Sequence, residues 1–156
     1  MIQDHQLTLK SSAIGSFVYF ASTILRDVLS AKTVGLIHDN RNLKQWFEKN
    51  GFRTTFEFSN SQLQKSDLTF DSKLVADCII AFNPFEDFNL EQIEKSLELF
   101  KRFDVALIIG AQTLESNFSM PKALFSRAGW VEILSDYGKV VEIYRHDNYN
   151  LFMVTK

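Results

Sequence analysis

Two polar clusters in the sequence combine residue types that do acid–base and hydrogen-bonding chemistry, and each directly follows an apolar run. His38, Asp39 and Asn40 follow residues 33–37, and Asn83 follows residues 74–82. A histidine beside a carboxylate can transfer protons near neutral pH. The structural alternative is that Asp39 or Asn40 caps the helix that comes next.

Alternating strands and helices are predicted around these clusters. Residues 33–37 and 53–58 have the apolar or alternating pattern typical of strands, and residues 41–50 between them place Leu43 and Phe47 on one helical face. A strand, a helix and a strand in this order predict parallel strands joined by a right-handed crossover. A second unit of the same kind follows, with strands at residues 74–82 and 104–110 and a helix at about 90–103.

The two ends of the chain complete the predicted fold. A helix over about residues 13–30 precedes the first strand, and a helix from Pro121 through Arg127 is expected to stop at Gly129. Alternating or apolar runs at residues 131–134, 140–144 and 151–154 then predict an antiparallel hairpin. Residues 1–156 are therefore predicted to form a single α/β domain with a mostly parallel, doubly wound sheet and a C-terminal antiparallel hairpin.

Ligands of open α/β sheets bind outside the carboxyl ends of the strands. The predicted binding crevice is lined by the residues that end the predicted strands, namely His38, Asp39, Asn40, Glu57, Asn83 and Pro84.

Composition excludes several other classes of function. The formal net charge of −2 gives no bulk attraction to nucleic acid, so nucleic acid is not an expected partner. The three histidines, His5, His38 and His146, have no metal-ligand spacing, and Cys78 is the single cysteine, so no metal site is predicted. One cysteine also fits a cytoplasmic protein.

No membrane association is predicted. The apolar run at residues 13–25 contains Ser16, Ser22 and Thr23 and is too short and too polar to span a bilayer. We interpret it as a buried helix, with a partner-docking surface as the alternative.

The predicted sheet, with Ala128-Gly129-Trp130 at the end of its last helix and a closing hairpin, resembles class I S-adenosylmethionine-dependent methyltransferases with their Rossmann-like fold. Asn83-Pro84-Phe85 is similar to the Asn-Pro-Pro-Tyr/Phe motif that amino-group methyltransferases place beside the target nitrogen, with one proline missing. The resemblance implies that these three residues are catalytic.

The same resemblance implies a cofactor site. S-adenosylmethionine would be bound at the strand ends by His38, Asp39 and Asn40, while Glu57 would accept hydrogen bonds from the ribose hydroxyls. Such methyltransferases have a glycine-rich loop after the first strand, where backbone approaches the methionine part of the cofactor, but residues 37–41 contain no glycine. Residues 59–73 are also short for the family's third strand with its flanking helices, so the chain resembles a degenerate or shortened member.

Two functional hypotheses follow. The first is a small methyltransferase-like protein that binds S-adenosylmethionine, which makes a small-molecule cofactor the expected partner. The second is a catalytically silent domain of the same fold that acts through contacts with another protein or with a second copy of itself. A response-regulator receiver is disfavoured, because a receiver needs an aspartate at the end of its middle strand and this chain has Phe82-Asn83 there.

Overall fold

The described part of the protein is a β-sheet with helices on both of its faces. The structure is a computed structural model that describes residues 2–64, 75–85, 88–112, 126–146 and 149–156. In chain order, its elements are α1 (Ile2–Asp27), β1 (Thr33–Ile37), α2 (Leu43–Lys49), β2 (Arg53–Phe58), α3 (Asn60–Gln64), β3 (Cys78–Phe82), α4 (Leu90–Arg102), β4 (Ala106–Gln112), α5 (Arg127–Ser135), β5 (Lys139–His146) and β6 (Tyr149–Thr155).

The strands form one sheet in the order β2-β1-β3-β4-β6-β5. The first four strands in this order are parallel, and β6 pairs antiparallel with both β4 and β5. This arrangement confirms the predicted mostly parallel sheet with a C-terminal antiparallel hairpin.

Each face of the sheet carries its own hydrophobic core, because successive residues of a strand point to opposite faces. Leu36 and Ile80 pack with α1 and α2 on one face, whereas Ile37 and Ile79 pack with α4 and α5 on the other. The helix that connects β1 to β2 therefore lies on one face of the sheet, and the helix that connects β3 to β4 lies on the other. The crevice between the carboxyl ends of β1 and β3 is thus the switch point where α/β proteins bind ligands. No helix of the described residues is long and apolar enough to cross a membrane.

Helix α5 corrects two sequence predictions. Gly129 lies in the first turn of α5 and does not stop a helix, because its N–H donates to the Oγ of the N-cap residue Ser126 at 3.1 Å. Residues 131–134, which were predicted with the runs of the hairpin, belong to α5, because Trp130 and Leu134, four residues apart, are buried and stabilise a helix. The predicted start of a helix at Pro121 lies outside the described residues.

Two strands begin later than the sequence predicts. Asp77 lies before β3, and its Oδ2 accepts hydrogen bonds from the backbone N–H groups of Lys32 and Thr33 at 2.8 and 3.0 Å. Asp104 has a φ of 57°, and its N–H donates to the carbonyl of Lys101, so Asp104 belongs to the turn that ends α4 and β4 begins at Ala106.

Candidate functional site

The candidate site lies where β1, β2 and β3 end side by side. Ile37 pairs with Phe58 of β2 and with Ala81 of β3, so the residues that follow these strands meet at one edge of the sheet. The backbone N–H of His38 continues the pairing by donating to the carbonyl of Phe58 at 3.0 Å. The sequence prediction that the two polar clusters share an edge depends on this parallel register.

His38 is a buried anchor of the loop after β1. Its residue exposure is 6%, and its Nε2 lies 2.7 Å from the Oε2 of Glu57. Its Nδ1 accepts a hydrogen bond from the backbone N–H of Asn40 at 2.9 Å. In the neutral ring the proton is therefore on Nε2 and is donated to the carboxylate. Both ring nitrogens have partners within the chain, so His38 holds the loop and the Glu57 carboxylate in place.

The side chain of Asn40 accepts a further hydrogen bond within the same loop. Its Oδ1 accepts a hydrogen bond from the backbone N–H of Asn42, the N-cap residue of α2, at 2.9 Å. The backbone donors of Asn40 and Asn42 are therefore both occupied by side chains of the loop itself. The predicted helix cap at Asp39 or Asn40 is wrong, because the N-cap residue of α2 is Asn42, which makes no side-chain cap hydrogen bond. The Asn40 side chain instead stabilises the turn that precedes α2.

Glu57 offers a carboxylate oxygen toward solvent. One oxygen is bonded to His38, the other has no hydrogen-bond donor among the described residues, and the side chain is 41% exposed. A carboxylate oxygen held in this way can accept a hydrogen bond from a ligand hydroxyl.

Asn60 joins the ends of β1 and β3, and the sequence analysis missed it. Its backbone N–H donates to the Oδ1 of Asp39 at 3.1 Å, and its Nδ2 donates to the carbonyl of Asn83 at 3.1 Å. Its Oδ1 is buried and has no donor among the described residues. Asn60 is the first residue of α3, whose start is fixed by reciprocal hydrogen bonds between Ser59 and Gln62. This capping-box pattern after a strand is a sequence signal for the start of α3, but it does not predict the contacts of Asn60 with Asp39 and Asn83.

Asn83 begins the predicted catalytic triplet in an uncommon backbone conformation. Its φ is 45°, and its N–H donates to the carbonyl of Gly110 in β4 at 2.7 Å. A non-glycine residue in the left-handed region is often found at functional sites. Pro84 and Phe85 are buried beneath the crevice, and the Phe85 ring stacks on Trp130 with the ring centroids 6.0 Å apart.

The structure thus places five of the seven predicted site residues in two hydrogen-bonded groups at one edge of the sheet. His38 is bonded to Glu57 and to Asn40, and Asn60 bridges Asp39 and Asn83. Among the described residues, no cluster of three His, Cys, Asp or Glu side chains could hold a metal ion.

A separate cavity of about 340 Å³ lies at the opposite edge of the sheet. Its lining includes Leu97 and Lys101 near the end of α4, Leu107 near the start of β4 and Lys156 after β6. Ala106 pairs with Cys78 and Gly110 with Phe82, so this cavity is at the amino end of the parallel strands and the crevice is at their carboxyl end.

Solved structures share this architecture at low sequence identity. A 1,6-didemethyltoxoflavin-N1-methyltransferase from Burkholderia thailandensis, solved with S-adenosylhomocysteine, is 14% identical with a TM-score of 0.60, and the match covers 99% of this chain and 89% of that one. Human N-acetylserotonin methyltransferase, solved with S-adenosylmethionine, is 11% identical with a TM-score of 0.59 over 88% of this chain. The chain has the class I methyltransferase fold.

This chain covers only part of the length of some solved methyltransferases. TehB from Haemophilus influenzae is 12% identical with a TM-score of 0.52 over 88% of this chain. The chain spans 61% of TehB and 51% of the human enzyme. No protein-family model matches the sequence, and no curated protein sequence matches it either. The comparisons therefore establish the fold.

Proposed function

We propose that the protein is a small methyltransferase-like protein that binds S-adenosylmethionine in the crevice at the ends of β1, β2 and β3. The observation that carries this proposal is the half-exposed Glu57 carboxylate, which His38 holds at the end of β2 with one oxygen free of donors among the described residues. Solved proteins of the same fold contain S-adenosylmethionine or S-adenosylhomocysteine, which supports this choice of ligand.

The residues of the crevice fit the adenosine end of this cofactor. Glu57 can accept hydrogen bonds from the ribose hydroxyls, and a carboxylate is the usual partner for them in dinucleotide-binding sheets. When bound, the cofactor supplies an electrophilic methyl group. Asn83, at the end of β3, is the residue we assign to the acceptor nitrogen, and buried Pro84 and Phe85 fix its position.

Calorimetric titration of S-adenosylhomocysteine into the wild type and Glu57→Gln tests the proposal. The glutamine side chain would keep an acceptor for His38 and remove the negative charge, so the expected loss is one charge-assisted hydrogen bond. Such a bond contributes about 1.5–3 kcal/mol, which is roughly ten- to a hundred-fold in affinity. Glu132→Gln is the matched control, because Glu132 is an exposed glutamate on α5. Equal affinities of all three proteins would refute the role of Glu57, and no heat from the wild type would refute cofactor binding.

One observation favours the second candidate function, a silent domain that acts through contacts with itself or another protein. Tyr19 on α1 and Val28 just after it are 64% and 57% exposed, and Val141 is exposed on β5, an edge strand of the sheet. Light scattering at several concentrations tests this candidate. A mass that stays at one copy throughout would argue against self-association.

A further inference from the structure

We propose that the crevice recognises 5′-thioadenosines through their nucleoside part and gains almost no affinity from the amino-acid tail that S-adenosylmethionine and S-adenosylhomocysteine carry. This inference rests on the proposed function, because it assigns the ribose to Glu57. The ligand class is then broader than the two cofactors and includes tailless thioethers such as 5′-deoxy-5′-methylthioadenosine.

The first argument concerns the backbone donors of the loop after β1. A ligand carboxylate that leaves water must recover its hydrogen bonds from the protein. The N–H of Asn40 is already bonded to His38 Nδ1, and the N–H of Asn42 is already bonded to Asn40 Oδ1, at 2.9 Å each. A tail that used these two donors would have to break these bonds, and the freed side-chain acceptors would lose their partners.

The second argument concerns space. The His38 ring is buried inside the loop, and no glycine among residues 37–41 lets a ligand approach the backbone closely. Asn60 is also hydrogen-bonded to both Asp39 and Asn83. It therefore lies between the ends of β1 and β3, where a tail would extend. The nucleoside part avoids these groups, since Glu57 lies at the end of β2, away from the hydrogen bonds that Asn60 makes.

The third argument concerns the charges that remain for a zwitterionic tail. The side chains of Arg41 and Asp39 are its available partners in this loop, and both residues are exposed. An exposed ion pair contributes about 0–1 kcal/mol, because water screens it. Two such pairs contribute at most about 2 kcal/mol together, so the tail is expected to change the affinity by less than about thirtyfold.

Calorimetric titrations of S-adenosylhomocysteine and 5′-deoxy-5′-methylthioadenosine into the same protein test the inference. We expect dissociation constants within about thirtyfold of each other, and an increase of both constants by a common factor in Glu57→Gln. Arg41→Ala serves as a second variant, which should leave the ratio of the two constants within the same range. A preference of more than about thirtyfold for S-adenosylhomocysteine would overturn the inference and leave the proposed function standing. Absence of binding by both ligands would instead overturn the proposed function, and the inference with it.

Discussion

Replacing Gly35 by alanine should destabilise the protein and disturb the strand that carries Glu57. Gly35 pairs with Phe56 across β1 and β2, next to an irregularity in the register between Val34 and Gly35. A Cβ atom at this position would lie 2.0 Å from the Cζ of Phe56. Carbon atoms in contact prefer about 3.5–4.0 Å, so the Phe56 ring must move by roughly 1.5 Å or more.

The Phe56 ring has little room for this movement. It is 7% exposed and stacks on Phe103, with the ring centroids 5.3 Å apart. Overpacking of a core typically costs about 1–3 kcal/mol. The lower chain entropy of the unfolded alanine variant offsets about 0.4–1 kcal/mol of this cost. We therefore expect Gly35→Ala to lower the free energy of unfolding by about 1–2 kcal/mol.

Urea unfolding followed by circular dichroism measures this effect, and Gly15→Ala is the matched control. Gly15 lies within α1, and a Cβ atom there would have no atom within 4 Å. Alanine is the better helix former by about 1 kcal/mol, so this variant should be more stable than the wild type. A double variant with Phe56→Leu should show a coupling energy, because the shorter side chain relieves the clash. The reasoning is refuted if Gly35→Ala is as stable as the wild type, or if its effect and that of Phe56→Leu simply add.

Two further predictions concern groups outside the crevice. Backbone hydrogen bonds from Lys32 and Thr33 hold the pKa of the Asp77 carboxyl below its ordinary value of 3.8, so the folded state is stabilised above that pH and loses this contribution as the pH falls through the lowered pKa. Urea midpoints of the wild type and Asp77→Asn should therefore differ at pH 6 and converge in acid, and a constant difference would contradict the assignment. Burial raises the pKa of the Cys78 thiol far above its ordinary range, so a disulfide reagent should modify it only in step with urea unfolding. Stoichiometric modification in native buffer would show that the Cys78 thiol in β3 is accessible to solvent in the folded protein.

The local sequence pattern predicted the strands, whose apolar residues are buried. Thr33–Ile37 and Arg53–Phe58 are strands with the predicted bounds, because β-branched or alternating residues between polar turns determine both ends. Gly129 misled the prediction because a side-chain cap at Ser126 determines where α5 begins and outweighs the weak helix propensity of glycine.

The candidate site was predictable only as a set of strand ends. Parallel register brings His38 and Asn83 to one edge, and this follows from the order of strands and helices. The bridge through Asn60 could not be predicted, because its partners Asp39 and Asn83 are each more than 20 residues away and the contact depends on the orientation of α3. The burial of Phe85 against Trp130 likewise depends on α5, whose boundaries the sequence pattern placed wrongly.

Amide chemical-shift mapping with S-adenosylhomocysteine tests the central claim most directly, because it locates the ligand as well as detecting it. Binding at the carboxyl ends of the parallel strands predicts shifts that saturate together at His38, Asn40, Glu57, Asn60 and Asn83. Amides at the opposite edge, around the cavity lined by Lys101 and Lys156, should remain unchanged. Shifts confined to that cavity, or a spectrum that does not change at saturating ligand, would contradict the account.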